Sequence, residues 1–404
     1  MIALMTTPKN KFLTVATNTM KRITTISFVL CTIFIFLNQG LTANANETHK
    51  AGMDRQWTKK EAWAWYDKQP WLVGCNYLPA YAGNPLEMWQ ADTFDPKAID
   101  RELQLAEDLG FNIIRVFLHD MLWQQDSKGF QERIDQFLSI ADKHHLKVML
   151  VLFDACWNPR PVLGQQPEPT PHIHNSTWSQ SPHIDVLAKP ENWDGIKGYA
   201  QGVVKRFRED KRVLIWDVYN EPGNPNTAAY AKDELKNKEV YATMLLKQVF
   251  GWVREIKPTQ PLTASVWTGE WGIDKAKPEL NSIALTQSDL NQYHSYLNKA
   301  GMLDHIAKVK AYGRPIICGE YMSRPVGCSF EMMLPIMKKE KIVALNWGFV
   351  AGRSQTNYPW ETWDKAFTAE PEIWFHDIYR QDGTPFSAKE VAFIRQITSS
   401  TNDK

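Results

Sequence analysis

Two glutamates stand where a chain could use them as a pair. Glu221 ends the run Val213-Leu-Ile-Trp-Asp-Val-Tyr-Asn-Glu-Pro222, which is apolar, then turns polar, and is stopped by a proline that fixes the turn. Glu320 ends Pro315-Ile-Ile-Cys-Gly-Glu320, behind a glycine that leaves room for a close neighbour. One acid at a strand end commonly does no more than cap the next helix. Two acids on one rim, one carrying a proton and one ionised, are the equipment for cleaving a glycosidic bond. Beside the first, Asn220 offers an amide that can donate to a ligand hydroxyl.

Other polar residues sit where an apolar strand should hold none. Arg115, in Gly110-Phe-Asn-Ile-Ile-Arg-Val116, is a charge inside such a strand, and a buried guanidinium requires a carboxylate partner. Keeping a nearby carboxyl ionised is one use for it. His294-Ser295-Tyr296 puts a His and a Tyr two residues apart, on one side of an extended segment. Trp347 ends another apolar run and could serve as a flat platform for a sugar ring.

These groups need a frame, and the chain supplies a regular one. Short β-branched or aromatic runs recur at Trp71–Cys75, Asn112–Leu118, Lys147–Phe153, Val213–Val218, Leu262–Val266, Asp289–Tyr293, Pro315–Cys318 and Ile342–Trp347. They read as buried parallel strands. The sixth is polar, and the His294-Ser295-Tyr296 segment after it is the main sign that it is a strand. Helical patterns fall between them at Pro96–Leu109, Phe130–His144, Trp193–Arg208, Val240–Ile256, Asn298–Ala311 and Phe330–Lys339, and Ala388–Ile397 closes the chain. Eight strands alternating with helices predict a single (β/α)8 TIM barrel. Long loops follow the third strand (Asp154–Asn192) and the eighth (Gly348–Glu372), on the face where such barrels build their sites. A doubly wound sheet is the rival, but Gly74-Cys75-Asn76-Tyr77 after the first strand is no phosphate loop.

The glutamates, arginine, His-x-Tyr and tryptophan, in this order on these strands, resemble glycoside hydrolase clan A, and within it the cellulase-like family 5. The resemblance runs from about Trp71 to Trp347. It implies Glu221 as acid/base, Glu320 as nucleophile, Asn220 as the grip on the sugar 2-hydroxyl, and Arg115 and Tyr296 as partners of the nucleophile. It implies sugar-binding roles for His294 and Trp347. One position departs: the family has a His two residues after an Asp at the end of strand three, and here Cys156 follows Asp154. Either Trp157 or His119 takes that place, or the chain is a divergent branch or a neighbouring clan A family. The expected activity is retaining hydrolysis of a plant-type β-linked polysaccharide or its oligosaccharides (glucan, xylan or mannan). A binding barrel without catalysis, or an exo-acting or transglycosylating enzyme, is the alternative. Loop Asp154–Asn192 is long enough to cover one end of a cleft, which leans toward exo action.

Composition narrows the partners. Of the 404 residues, the first 45 read as a signal peptide, with a second plausible start at Met20. Lys21 and Arg22 precede the apolar run Ile26 to Leu37, and Ala43-Asn44-Ala45 is a small-x-small cleavage site. Residues 46–404 are then the catalytic barrel, secreted or periplasmic, with no membrane contact after cleavage. That part carries 42 basic against 45 acidic residues with no basic stripe, so nucleic acid is not expected. It holds all 17 Trp, which suits a saccharide ligand. Its cysteines, Cys75, Cys156, Cys318 and Cys328, are expected to be free and buried, Cys318–Cys328 being the one local pair that could form. His172, His174 and His183 share a loop without acids at ligand spacing, so no metal and no cofactor are expected. A monomer is the expected state.

Overall fold

The computed structural model describes residues 55–227 and 229–399. The predicted signal peptide lies outside the described residues. Within them the strands are β1 (Val73–Asn76), β2 (Ile113–Phe117), β3 (Lys147–Val151), β4 (Val213–Asp217), β5 (Leu262–Thr263), β6 (Ser265–Val266), β7 (Asn291–His294), β8 (Ile316–Tyr321) and β9 (Val343–Asn346). Every ladder is parallel, in the order β5-β4-β3-β2-β1-β9-β8-β7-β6. The two ends of that order, β5 and β6, are consecutive in the chain, separated by Ala264 alone. The predicted fifth strand is thus one stave in two halves, and the sheet is the eight-staved barrel.

The helices wrap the outside: α1 (Lys59–Tyr66), α2 (Pro85–Trp89), α3 (Pro96–Asp108), α4 (Asp120–Lys143), α5 (Ile184–Leu187), α6 (Asp194–Phe207), α7 (Lys238–Ile256), α8 (Glu279–Gln287), α9 (Lys299–Lys310), α10 (Phe330–Lys339) and α11 (Ala388–Ser399). Local chemistry explains their ends. Asp95 caps α3 by accepting from the Lys97 and Ala98 amides, Pro96 supplies the first helical φ, and Ala98, Ile99, Leu103 and Ala106 form its buried stripe. α4 starts ten residues before the predicted Phe130. Asp126, with φ −159°, interrupts it and accepts from the Gly129 amide, so two helices run end to end and only the second has a clean period.

Inward-facing side chains change character along the staves, because alternate residues share a face. At the lower end Ile113, Met149, Ile215, Ile317 and Val343 pack together, closed from below by Tyr66 of α1. Two residues higher on three of these staves come Arg115, Asp217 and Gly319. Above them Phe117, Val151, Cys156, Trp178 and Trp347 form an aromatic floor. An apolar plug, a charged layer and an aromatic layer are therefore stacked along one axis.

Candidate active site

Arg115 occupies the charged layer with no exposure and spends its donors on four partners. Nη1 reaches Asn76 at 2.7 Å and Glu320 at 3.0 Å, while Nη2 reaches Asn220 at 2.6 Å and Asp217 at 2.8 Å. Nε also donates to Asp217, at 3.0 Å. A buried guanidinium thus binds two carboxylates and orients two amides from three staves. Asp217, Asn76 and Gln292 did not stand out in the sequence. Asp217 was detectable there: it is an acid inside an apolar strand, the counterpart of the charge that drew attention to Arg115.

Glu320 lies in β8 beside Gly319. A Cβ built at residue 319 would stand 2.4 Å from Gln292 Nε2 and 2.9 Å from His294 Nε2, so the glycine lets those two β7 side chains reach the axis. The Glu320 carboxyl accepts from Arg115 at Oε1 and from the Tyr296 hydroxyl at Oε2, 2.7 Å away. Glu221 follows β4 with φ +39°, a strained backbone for a side chain of its size, held by its amide donating to Ser265 Oγ at 2.9 Å. This turn points its carboxyl inward. Oε1 meets His294 Nδ1 at 2.8 Å, and Oε2 accepts from Asn224 Nδ2 at 2.8 Å and from the Cys156 thiol at 3.3 Å.

The tautomer of His294 is set by its neighbours. Gln292 Nε2 must face the Asp217 carboxylate, 2.9 Å away, and it also points at His294 Nε2 at 3.3 Å. His294 Nε2 is then an acceptor, so the ring hydrogen sits on Nδ1 and is directed at Glu221 Oε1, with Glu320 Oε2 3.5 Å away. Burial pushes the imidazole down to about 4, so the ring is neutral at ordinary pH. One oxygen of each glutamate and a His294 nitrogen lie within 4.8 Å of one another. Arg115 already brings the positive charge a cation would supply, and we assign no metal there. The loop histidines behave differently: His174 Nδ1 donates to the Tyr358 carbonyl, and His183 caps α5.

Both catalytic candidates are buried, Glu221 8% and Glu320 5% exposed. Burial pushes both carboxyls above the usual range. On Glu221 the Asn224 and Cys156 hydrogen bonds pull back; on Glu320 the neighbouring His294, Arg115 and Tyr296 pull back while Glu221 adds to the rise. Only Glu320 touches the guanidinium directly, so negative charge is held there and a shared proton belongs on Glu221.

The glutamates open into a cavity of about 630 Å³, also lined by His294, Tyr296, Asn220, Trp157, Trp347 and Cys156. Trp347 meets Phe117 and Trp178 edge-on, and Trp157 stacks on Trp363 with centroids 5.6 Å apart. His119 does not join them. It is fully buried as the N-cap of α4, accepting from the Met121 amide. Of the two residues expected to take the role of the missing His, Trp157 alone lines the cavity, and the Cys156 thiol stands beside Glu221. All four described cysteines are free, Cys318 and Cys328 included.

The two long loops meet over the mouth. The His174 amide donates to Thr362 Oγ1 at 3.1 Å, Trp363 Nε1 to the His174 carbonyl at 2.8 Å, and the Asn175 amide to the Ser354 carbonyl at 2.8 Å. Arg353 adds an ion pair to Glu168 at 2.7 Å. Their parent strands, β3 and β9, are separated in the sheet by β2 and β1, so these contacts span that side of the barrel. On the opposite side the cavity is lined by Asn224, Trp267 and Leu297, and Leu297 is 47% exposed.

Comparison with known proteins bears on this site. The sequence model of the family described as Cellulase (glycosyl hydrolase family 5) matches residues 78–351, more than half of the chain. No curated protein sequence matches. Among solved structures, a GH5_18 protein from Bifidobacterium longum subsp. infantis is similar with a TM-score of 0.57 at 12% identity, over 82% of this chain and 79% of that one. A GH5_18 structure from Streptomyces cattleya in complex with Manβ1-4GlcNAc gives 0.55 at 13%, over 83% and 82%. The exo-β-1,4-mannosidase Op5Man5 from Opitutaceae bacterium strain TAV5 gives 0.52 at 17%, over 82% and 60%. At such identities the likeness is one of fold.

Proposed function

The chain belongs to glycosyl hydrolase family 5, the cellulase family, and from that premise we propose that it is an exported, retaining β-glycosidase that removes sugars from the ends of β-linked oligosaccharides. One observation carries the mechanism: two buried carboxyls with oxygens within 4.8 Å, one of them tied directly to a guanidinium. So close a pair suits the retaining arrangement, with carboxyls about 5–5.5 Å apart, better than the inverting one, at about 6.5–9.5 Å. Glu320, kept ionised by Arg115 and aligned by Tyr296, attacks the anomeric carbon. Glu221 gives its proton to the leaving oxygen, the glycosidic bond breaks, and a glycosyl ester forms on Glu320. Glu221, now a carboxylate, takes a proton from water, which attacks the same carbon and releases the sugar and Glu320. In this reading Asn220 holds the 2-hydroxyl, with Trp347 as the floor.

Action at chain ends is supported by the joined loops on the β3–β2–β1–β9 side, which leave the Asn224–Trp267–Leu297 side for the departing part of the substrate. The sugar is the finer question. The Manβ1-4GlcNAc complex and the exo-β-1,4-mannosidase among the structural neighbours make β-mannosides the first class to test, ahead of glucosides and xylosides. Manno-, cello- and xylo-oligosaccharides of defined length should be digested and the products followed by chromatography with time. A monosaccharide (or one short fixed product) should accumulate from the first minutes on one of the three series. A ladder of intermediate lengths would remove the end-acting part of the proposal, and no cleavage of any glycoside would remove all of it. Export rests on the first 45 residues and predicts a shortened chain beginning near Asn46 outside the cytoplasm.

A further inference from the structure

In the retaining cycle Glu221 must be a carboxylic acid in one half-reaction and a carboxylate in the other, so its neighbours must suit both forms. Two of its three partners can only donate to it. His294 offers Nδ1–H to Oε1 because Gln292 makes Nε2 the acceptor, and the Asn224 amide nitrogen has only hydrogens to give. The third partner is different. The Cys156 thiol lies 3.3 Å from Oε2 and can either donate S–H or accept O–H. Its sulfur is held by two further amides, Asn220 Nδ2 at 3.6 Å and Asn224 Nδ2 at 3.5 Å. Asn220 Nδ2 also donates to Asp154 Oδ1 while its Oδ1 accepts from Arg115, and Asn224 Nδ2 also donates to Glu221 itself. The Cys156 amide in turn donates to Asp154 Oδ1 at 3.0 Å, which fixes the backbone that carries the sulfur.

We propose that Cys156 is a positioning residue for Glu221, its thiol accepting from the carboxylic acid and turning to donate to the carboxylate as the proton leaves for the glycosidic oxygen. The inference rests on Glu221 being the acid/base. Proton balance is simple: Oε2 loses its hydrogen to the leaving oxygen, and the thiol keeps its own throughout and only rotates. Burial and the adjacent Glu221 push the thiol well above its ordinary range, so it retains that hydrogen at any working pH. This also accounts for the departure at residue 156, because a sulfur there makes a hydrogen bond that reverses with each half-reaction. The other titratable groups facing Glu221 are Glu320 on β8, His294 on β7, Tyr296 after β7, Arg115 on β2 and Asp154 after β3, and only the side chain at residue 156 is changed in the test.

The test compares wild type with C156A and C156S on the phenyl and 2,4-dinitrophenyl β-glycosides of the sugar the enzyme hydrolyses. Phenol leaves only with proton donation; dinitrophenol leaves without it. Alanine removes a donor to the carboxylate, so the Glu221 pKa rises and the alkaline limb of kcat/KM moves up by about half to one pH unit. For the phenyl substrate kcat/KM falls about tenfold, for the dinitrophenyl substrate by less than about threefold, and serine, which can also donate and accept, recovers most of the loss. Thermal melting and circular dichroism of each variant show whether it is folded, and the pH limb and leaving-group selectivity are read on the folded protein. Equal losses on both substrates with an unmoved limb, serine no better than alanine, or no change at all would each overturn the role. E221Q run alongside separates the two ideas. If it loses the phenyl but keeps the first turnover of the dinitrophenyl substrate while C156A is unchanged, only this inference falls; if E221Q keeps both, the acid/base assignment falls with it.

Discussion

Replacing Glu320 by alanine should cut turnover by on the order of 10⁴-fold or more on every substrate, because no leaving-group activation can substitute for the missing nucleophile. The expectation comes from geometry: this carboxyl is the one bonded to both Arg115 and Tyr296, at 3.0 and 2.7 Å. Removing the side chain opens a space next to the anomeric carbon. Azide added to E320A with a dinitrophenyl β-glycoside should enter that space and attack from the vacated face. The product is the α-glycosyl azide, of inverted configuration. The arginine remains, so the anion is drawn to the site rather than repelled. Mass spectrometry and NMR of the azide product check it. Activity that survives without azide, or a β-glycosyl azide, would show that Glu320 is not the nucleophile.

Changing Glu221 to glutamine should have the second-largest effect, and a selective one. General acid catalysis contributes about 10²–10⁴-fold, so saccharide hydrolysis should fall by that order, while a dinitrophenyl glycoside should still give a burst of dinitrophenol. Azide should then accelerate the second step and give the β-glycosyl azide, the opposite anomer from that of the Glu320 variant. The pH profile carries the same information. In wild type, activity requires Glu320 ionised and Glu221 protonated, so it rises as pH passes the Glu320 pKa and falls as pH passes the Glu221 pKa. Burial raises both, which moves the bell toward neutral pH. In E221Q the alkaline limb should vanish. Should that limb persist unchanged, it belongs to another group.

Much of this arrangement was legible in the residues. Glu221, Glu320 and Arg115 each broke an apolar pattern at a strand or its end, His294 and Tyr296 stood out by their spacing, and the barrel brings all five together. What escaped had physical reasons. Gln292 and Asn291 made β7 look too polar for a buried strand, yet Gln292 is polar because it faces the charged layer, where it bonds Asp217. Asp217 sits two residues above Ile215 on the same face, so its partnership with Arg115 depends on register between strands about a hundred residues apart, which no local window contains. Cys156 read as a loss because its chemistry depends on what stands opposite. The tryptophans divide: Trp157 and Trp347 line the cavity, whereas Trp89 and Trp216 are wholly buried filler, and composition alone carries no sign of which is which. The meeting of the two long loops rests on pairs such as His174 with Thr362, 188 residues apart.

Every role assigned to the two glutamates depends on double displacement, and stereochemistry reports on that directly. One oxygen of each carboxyl lies within 4.8 Å of the other, the close pairing of a retaining site, so the sugar is expected to pass through a covalent ester on Glu320. Proton NMR of the anomeric region during the first minutes of hydrolysis, before mutarotation mixes the anomers, is the measurement. The account predicts the β-anomer as the first product from a β-glycoside, with the α-anomer growing in only at the rate of mutarotation. An α-anomer formed first would mean direct attack by water, and would contradict the assignment of Glu320 as nucleophile and of Glu221 as its acid/base partner.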